Sequence, residues 1–261
     1  MTTAYATAPF NISYGARTPY ITTAEYDNAP TAMDTTNLVS GGSVSNLIAL
    51  QETINRASSW VDQFTCGAWG TLCATVETEN KRSWGSYRNT LIIHPKYWPT
   101  VEVRSFQFSS IPGGLASTTG ASVTPSSSIT VYPQQFEVTL TAATTFNTTG
   151  TTGFGGWGSS YGIARRTEYD CLYTYVAGWP NTTLSASVAA GASSVAPTSV
   201  IGIYPGSLMT VYDLPNDEPC TVASTYIPGS AVVPLTSPLQ FNHGSSATIT
   251  NMPPAIKQAA I

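Results

Sequence analysis

Between Ser43 and Thr65, apolar side chains recur at alternating steps of three and four residues: Leu47, Leu50, Ile54, Ala57, Val61 and Phe64. This spacing tracks the α-helical turn, so it predicts one long helix with those six residues along its buried face. Ile48 and Trp60 flank the stripe, and Gly67 and Gly70 supply a stop. A shorter helix is expected just after Tyr20, in YITTAEYDNAP. There Thr22 or Thr23 can cap, Glu25 falls in the first turn, and Pro30 ends it. Residues 1–18 are polar, dotted with aromatics and prolines, and have no period. They read as an extended N-terminal arm.

From Cys73 the period changes to two. Thr90–His94, Val101–Phe108, Ile129–Tyr132 and Phe136–Thr141 read as strands bounded by Pro, Gly and Ser. Leu172–Val176, Thr183–Val188, Ser207–Tyr212, Pro219–Ser224, Ala231–Leu235 and Thr248–Thr250 extend the series. No helical pattern separates them, which indicates antiparallel pairing and an α+β chain. The segment 142–162 is rich in Gly and Thr and reads as a long loop. The expected organisation is an arm at 1–18, a helical domain at 19–72, a β-rich domain at 73–250, and the start of a C-terminal helix at 251–261. In that last segment Ile256, Ala259 and Ala260 share one face, with Lys257 directed elsewhere. A helix this short is unstable alone and is expected to dock or to continue in a longer chain; for docking, Pro253, Pro254, Ile256, Ala259 and Ala260 are the candidate residues.

Composition narrows the function. Only 9% of residues are charged, whereas 39 Thr and 29 Ser fill about a quarter of the 261 positions. Ten basic residues and a net charge of −4 argue against an electrostatic grip on nucleic acid. The amino terminus lacks the pattern of a secretory signal, and no 18-residue apolar run suggests a membrane span, so a cytosolic origin is expected. Cys66, Cys73, Cys171 and Cys220 form no CxxC pair and read as isolated buried thiols.

Chemistry is sparse. Gly158–Gly162 matches G-x-S-x-G with Ser160 as nucleophile, and Asp213 or Asp217 and then His243 follow in hydrolase order. A nucleophile elbow needs a buried strand before it and a helix after it, and the flanks here fit neither. His94 and His243 lack the spacing of a metal site, Asp217-Glu218 reads as a solvated turn, and Arg165-Arg166 is neutralised by Glu168 and Asp170. Trp157, Trp179, Tyr161 and Tyr175 would suit carbohydrate only if they shared one exposed face. No catalytic, cofactor or metal residue is expected, and the chain does not read as an enzyme.

Two stretches carry a resemblance. One is YITTAEYDNAPTAMDTTNLV (Tyr20–Val39), followed by a helix ending in Ala57–Asp62. The other runs from YTYVAGWPNTTL at Tyr173 through Gly202–Gly206, Glu218, Pro234–Leu239 and His243 to MPPAIKQAA. Together they resemble the head-to-tail adaptor proteins of long-tailed phages of actinobacteria, outside the segment 109–165. The resemblance implies a small helical bundle with a large antiparallel β-rich insertion. It implies a virion protein, made in the bacterial cytoplasm, forming a ring of about twelve copies beneath the portal vertex. Expected partners are other copies, the portal protein, and a downstream connector, stopper or tail terminator, with DNA crossing the lumen unread. The C-terminal segment is implied in portal binding. Another tail, neck or baseplate role is the alternative.

Overall fold

The computed structural model describes residues 19–29, 34–36, 38–39, 42–65, 72–84, 90–109, 121–123, 128–139 and 168–261. The fold is α+β, and every ladder between named strands is antiparallel. The arm 1–18, the stops Pro30, Gly67 and Gly70, and the loop 142–162 lie outside the described residues.

Helix α1 (Thr23–Asn28) opens on a full capping box: the Thr22 hydroxyl accepts from Glu25 N, and a Glu25 carboxylate oxygen accepts from Thr22 N. Helix α2 spans Ser43–Thr65, but its buried stripe is Asn46, Leu50, Ile54, Ser58 and Asp62. Those residues step by four. Each step overshoots a full turn by about 40° at 100° per residue, so the stripe winds around the helix. Leu50 and Ile54 are buried and Ala57 and Val61 half-buried, whereas Leu47 is 54% and Phe64 87% exposed.

The cause of that departure is polar. Backbone Tyr20 N donates to Ser58 Oγ at 3.0 Å, and the Tyr20 hydroxyl donates to Asp62. The Leu72 amide reaches the Tyr20 hydroxyl at 2.9 Å and Asp62 Oδ1 at 3.2 Å. At the other end of α2, Asn46 accepts from Val39 N at 2.9 Å and donates to the Thr36 carbonyl. Hydrogen bonds therefore set which face of α2 turns inward, and Leu47 and Phe64 are left outside.

The chain divides into two compact units, Thr75–Gly178 and a second composed of Met1–Ala74 with Trp179–Ile261. This differs from the expected split at residue 73 with all strands to 250 in one domain. The later strands belong with the helices because the chain returns to the place it left. Trp179 N donates to Leu72 O at 2.7 Å, and Ala74 N donates to Trp179 O at 2.8 Å.

Within Thr75–Gly178, β1 (Thr75–Trp84), β7 (Glu168–Ala177), β3 (Thr100–Ser109) and β4 (Ala121–Val123) form one sheet in that order. Strands β2 (Thr90–Ile93), β6 (Gln135–Thr139) and β5 (Ile129–Tyr132) form another. Both contribute to one aromatic core in which Phe136 meets Tyr173 edge-on at 5.1 Å and Phe106 at 5.9 Å. Glu79 on β1 accepts from the Tyr173 hydroxyl at 2.9 Å, from the Tyr175 hydroxyl, and from Lys96 N at 2.9 Å. Strand β1 has no apolar alternation, so sequence pattern misses it. Its ten residues pair in unbroken register with β7.

In the other unit, β11 (Glu218–Thr221), β10 (Leu208–Tyr212), β13 (Thr248–Thr250) and β8 (Asn181–Thr183) form a sheet beside the short pair β12 (Val233–Pro234) and β9 (Ser194–Val195). Their core gathers Leu184, Ile203, Met209, Val211, Val222 and Ile249. A second cluster joins Tyr20, Ile21, Leu50, Ile54, Leu72 and Met252.

Burial pushes the Cys171 thiol up to about 12 and the Cys220 thiol up to about 11, from 9.0. Burial also raises the Tyr173 and Tyr175 phenols, as does hydrogen bonding to Glu79. The unfolded chain thus releases these protons first, and stability present below pH 9 is lost as pH rises through about 9 to 12. Chemical denaturation at pH 8 and pH 10.5 should show a lower midpoint at the higher pH. Cys171→Ala should reduce that difference, and an unchanged difference would contradict the assignment.

Candidate functional site

The expected docking segment is helix α3 (Pro254–Gln258), with Pro253 at its N-cap. It packs into its own unit. Ala260 is buried and Ile256 half-buried in the cluster with Tyr20, Ile21 and Leu50, while Pro254 and Ala259 are exposed and Pro253 half-buried. Ile256 and Ala260 are therefore committed within the chain. Lys257 does not point away, as the amphipathic pattern suggested, but is one of the buried charged residues.

Its partners explain the burial. Lys257 Nζ lies 2.5 Å from Glu25 Oε1 and 4.3 Å from the Tyr212 ring centroid. Glu25 Oε2 is the oxygen that caps α1, accepting from Thr22 N at 2.7 Å. One carboxylate thus closes the start of α1 and neutralises the cation on α3. Burial lowers the pKa of Lys257, and Glu25 pulls it back toward its ordinary value.

Among the described residues, one group of exposed apolar side chains is on α2. Val44, Leu47 and Ile48 are exposed near its start, and Trp60 and Phe64 near its end are 70% and 87% exposed. Sequence pattern placed Leu47 and Phe64 inside because an apolar stripe at helical spacing is the ordinary mark of a core face. The competing signal was Ser58 and Asp62, polar residues four apart on the face that Tyr20 covers.

The structure brings His243 and Asp213 together, with Glu218 on the other side. His243 is buried, its Nε2 lies 2.9 Å from Glu218 Oε1, and its Nδ1 lies 3.5 Å from Asp213 Oδ2. Glu218 also accepts from Gln240 N at 2.9 Å, and Asp213 accepts from Gly244 N at 2.8 Å. Among the described residues, Glu218 is the hydrogen-bond partner of Nε2, and Nδ1 lies near the Asp213 carboxylate without a hydrogen bond. The cluster ties the 240–244 turn to β11. Asp217 accepts from Asp213 N at 2.7 Å.

Ser160, Cys66, Trp157, Tyr161, Arg165 and Arg166 lie outside the described residues. Cys73, Cys171 and Cys220 are buried. His94 is exposed at the end of β2, and its carbonyl accepts from Lys81. Asp170 pairs with Arg82 at 3.0 Å. Tyr175 is buried and Trp179 half-buried, so these two aromatics do not form an exposed platform. Among the described residues no group of three His, Cys, Asp or Glu is arranged to hold a metal ion, and no helix is long and apolar enough to cross a membrane.

Two variants test the buried pair. Lys257→Ala leaves the Glu25 carboxylate without its cation and should cost about 3 kcal/mol in urea denaturation. Glu25→Gln with Lys257→Met should recover most of that loss, because a well-packed neutral pair avoids charge burial. An Ala variant as stable as the parent would remove Lys257 from the docking of α3. No family model, curated protein or solved structure matches the chain.

Proposed function

We propose that the chain is a virion structural protein, an adaptor forming a ring of about twelve copies between the portal vertex of a phage capsid and its tail. Its partners are its own copies, the portal protein, and a downstream connector, stopper or tail terminator. DNA crosses the lumen without sequence-specific contact. The protein performs no catalysis and takes no cofactor; it is made in the host cytoplasm and ends at the head–tail interface. In this reading α1, α2 and α3 belong to the small helical bundle, and the strands of Thr75–Gly178 form its β-rich insertion.

The observation that carries the reading is the outward apolar surface of α2. Trp60 and Phe64, at 70% and 87% exposure, are costly to leave in water and gain by burial against a neighbouring copy. A ring needs two different faces on each protomer, and a helix apolar on the side away from its own core supplies one. The sparse charge agrees, because charge is depleted where protein surfaces meet. The net charge of −4 per copy suits a conduit that must not hold phosphates.

The test is the mass and symmetry of the assembly, by native mass spectrometry and negative-stain imaging of the chain with and without portal protein. A ring of about twelve copies is expected. Trp60→Ser with Phe64→Ser should abolish it while leaving the far-ultraviolet circular dichroism unchanged. Three- or six-fold particles would favour a tail, neck or baseplate role, and a monomer under all conditions would overturn the proposal.

A further inference from the structure

Helices α1 and α3 and the turn before β11 line an apolar cavity of about 200 Å³, all of it within the discontinuous unit. Ile21, Ala29, Leu214, Pro254 and Ile261 supply its apolar surface. Leu214 and Ile261 are 44% and 45% exposed, so the cavity opens to solvent beside them. Three charged residues also line it: Glu25, Lys257 and Asp217. The first two pair with each other, and Asp217 is left as the open charge at an exposed position. Burial lowers the pKa of Lys257, and Glu25 and then Asp217 oppose that shift, which sets the Asp217 carboxylate near the same wall. Asp217 Oδ1 accepts from Asp213 N, and Oδ2 has no hydrogen-bond partner among the described residues.

The outward surface of α2 carries the complementary chemistry. Arg56, Trp60 and Phe64 are all exposed and stand at i, i+4 and i+8, each step rising about 6 Å along the axis, so they form one continuous ridge. Arg56 Nε reaches only the Glu52 carbonyl, at 3.4 Å. Neither Arg56 nor Asp217 has an ion-pair partner among the described residues. No residue that lines the cavity is on α2, so Trp60 of the same copy does not fill it.

Size and charge select the occupant. An apolar cavity of about 150 Å³ accepts benzene, so one of this volume accepts a single aromatic side chain. The open carboxylate favours a cation beside that ring and disfavours an anion. We propose that the cavity receives Trp60 of a second copy of this chain, with Arg56 of that copy facing Asp217. The contact joins two different patches, so it is heterologous and can repeat from copy to copy, as a ring requires. An aromatic anchor in an apolar pocket beside an arginine is the arrangement that dominates many interfaces. The inference rests on the adaptor reading for its premise that copies associate, and adds the surface that receives α2.

Sedimentation equilibrium with two variants of the full chain tests the pairing. Trp60→Ser with Phe64→Ser removes the ridge and keeps the cavity, whereas Ala29→Phe fills the cavity and keeps the ridge. Under conditions in which the parent associates, at up to about 1 mM, each variant alone should be monomeric. Their equimolar mixture should form a one-to-one dimer and grow no further, because its one intact ridge and one intact cavity are then used. Adding Arg56→Glu to the cavity-filled variant should weaken that dimer about tenfold. If circular dichroism shows that Ala29→Phe does not fold, Ile261→Asp at the mouth replaces it with the same expectation. A cavity variant that assembles like the parent, or a mixture of folded variants that stays monomeric, would overturn the inference and leave the adaptor reading standing. A parent chain that stays monomeric with and without portal protein would overturn both.

Discussion

The Asp62 carboxylate and the Ser58 hydroxyl hold the extended segment at Tyr20 along α2, and much of the discontinuous unit is built on that contact. The same phenol receives the Leu72 amide. The two carbonyls beside it, of Pro19 and Tyr20, receive the Asn181 side chain. Helix, extended segment, the chain leaving toward β1 and the strand returning after Trp179 thus meet through hydrogen bonds around one tyrosine. Unpaired, a buried carboxylate such as Asp62 would be strongly destabilising; hydrogen-bonded to a hydroxyl and an amide, it becomes the point that orients the helix.

That orientation has a consequence for surface chemistry. A helix of 23 residues with apolar side chains at many registers can bury only part of its circumference. By spending the inward face on Asn46, Ser58 and Asp62, the fold turns Trp60 and Phe64 outward. The far end of the chain shows the converse choice. Lys257, the charged residue of α3, lies inside against Glu25 and the Tyr212 ring. Polar groups do the positioning within this unit, and apolar ones on α2 are left exposed.

Much of this was legible from periodicity. The span of α2, the Thr22 cap of α1, and the strands at Ile129–Tyr132 and Thr248–Thr250 follow directly from spacing and capping chemistry. What was not legible depended on partners distant in sequence. Strand β1 is polar along most of its length and is made a strand by β7, about ninety residues away. Lys257 is drawn inward by Glu25, 232 residues earlier. The inward face of α2 is chosen by Tyr20, 42 residues before Asp62, and no local pattern encodes that choice. His243 was recognisable as a structural residue, but its two carboxylate neighbours come from β11 and from the turn before it.

The proposed function rests on the outward face of α2 being covered by a neighbouring copy in a ring. Hydroxyl-radical footprinting read by mass spectrometry measures it directly, since Trp60 and Phe64 both oxidise readily when wet. In the free chain both should label strongly, with Leu50 and Ile54 protected, and in assembled particles Trp60 and Phe64 should become protected as well. Equal labelling of Trp60 and Phe64 before and after assembly would contradict it.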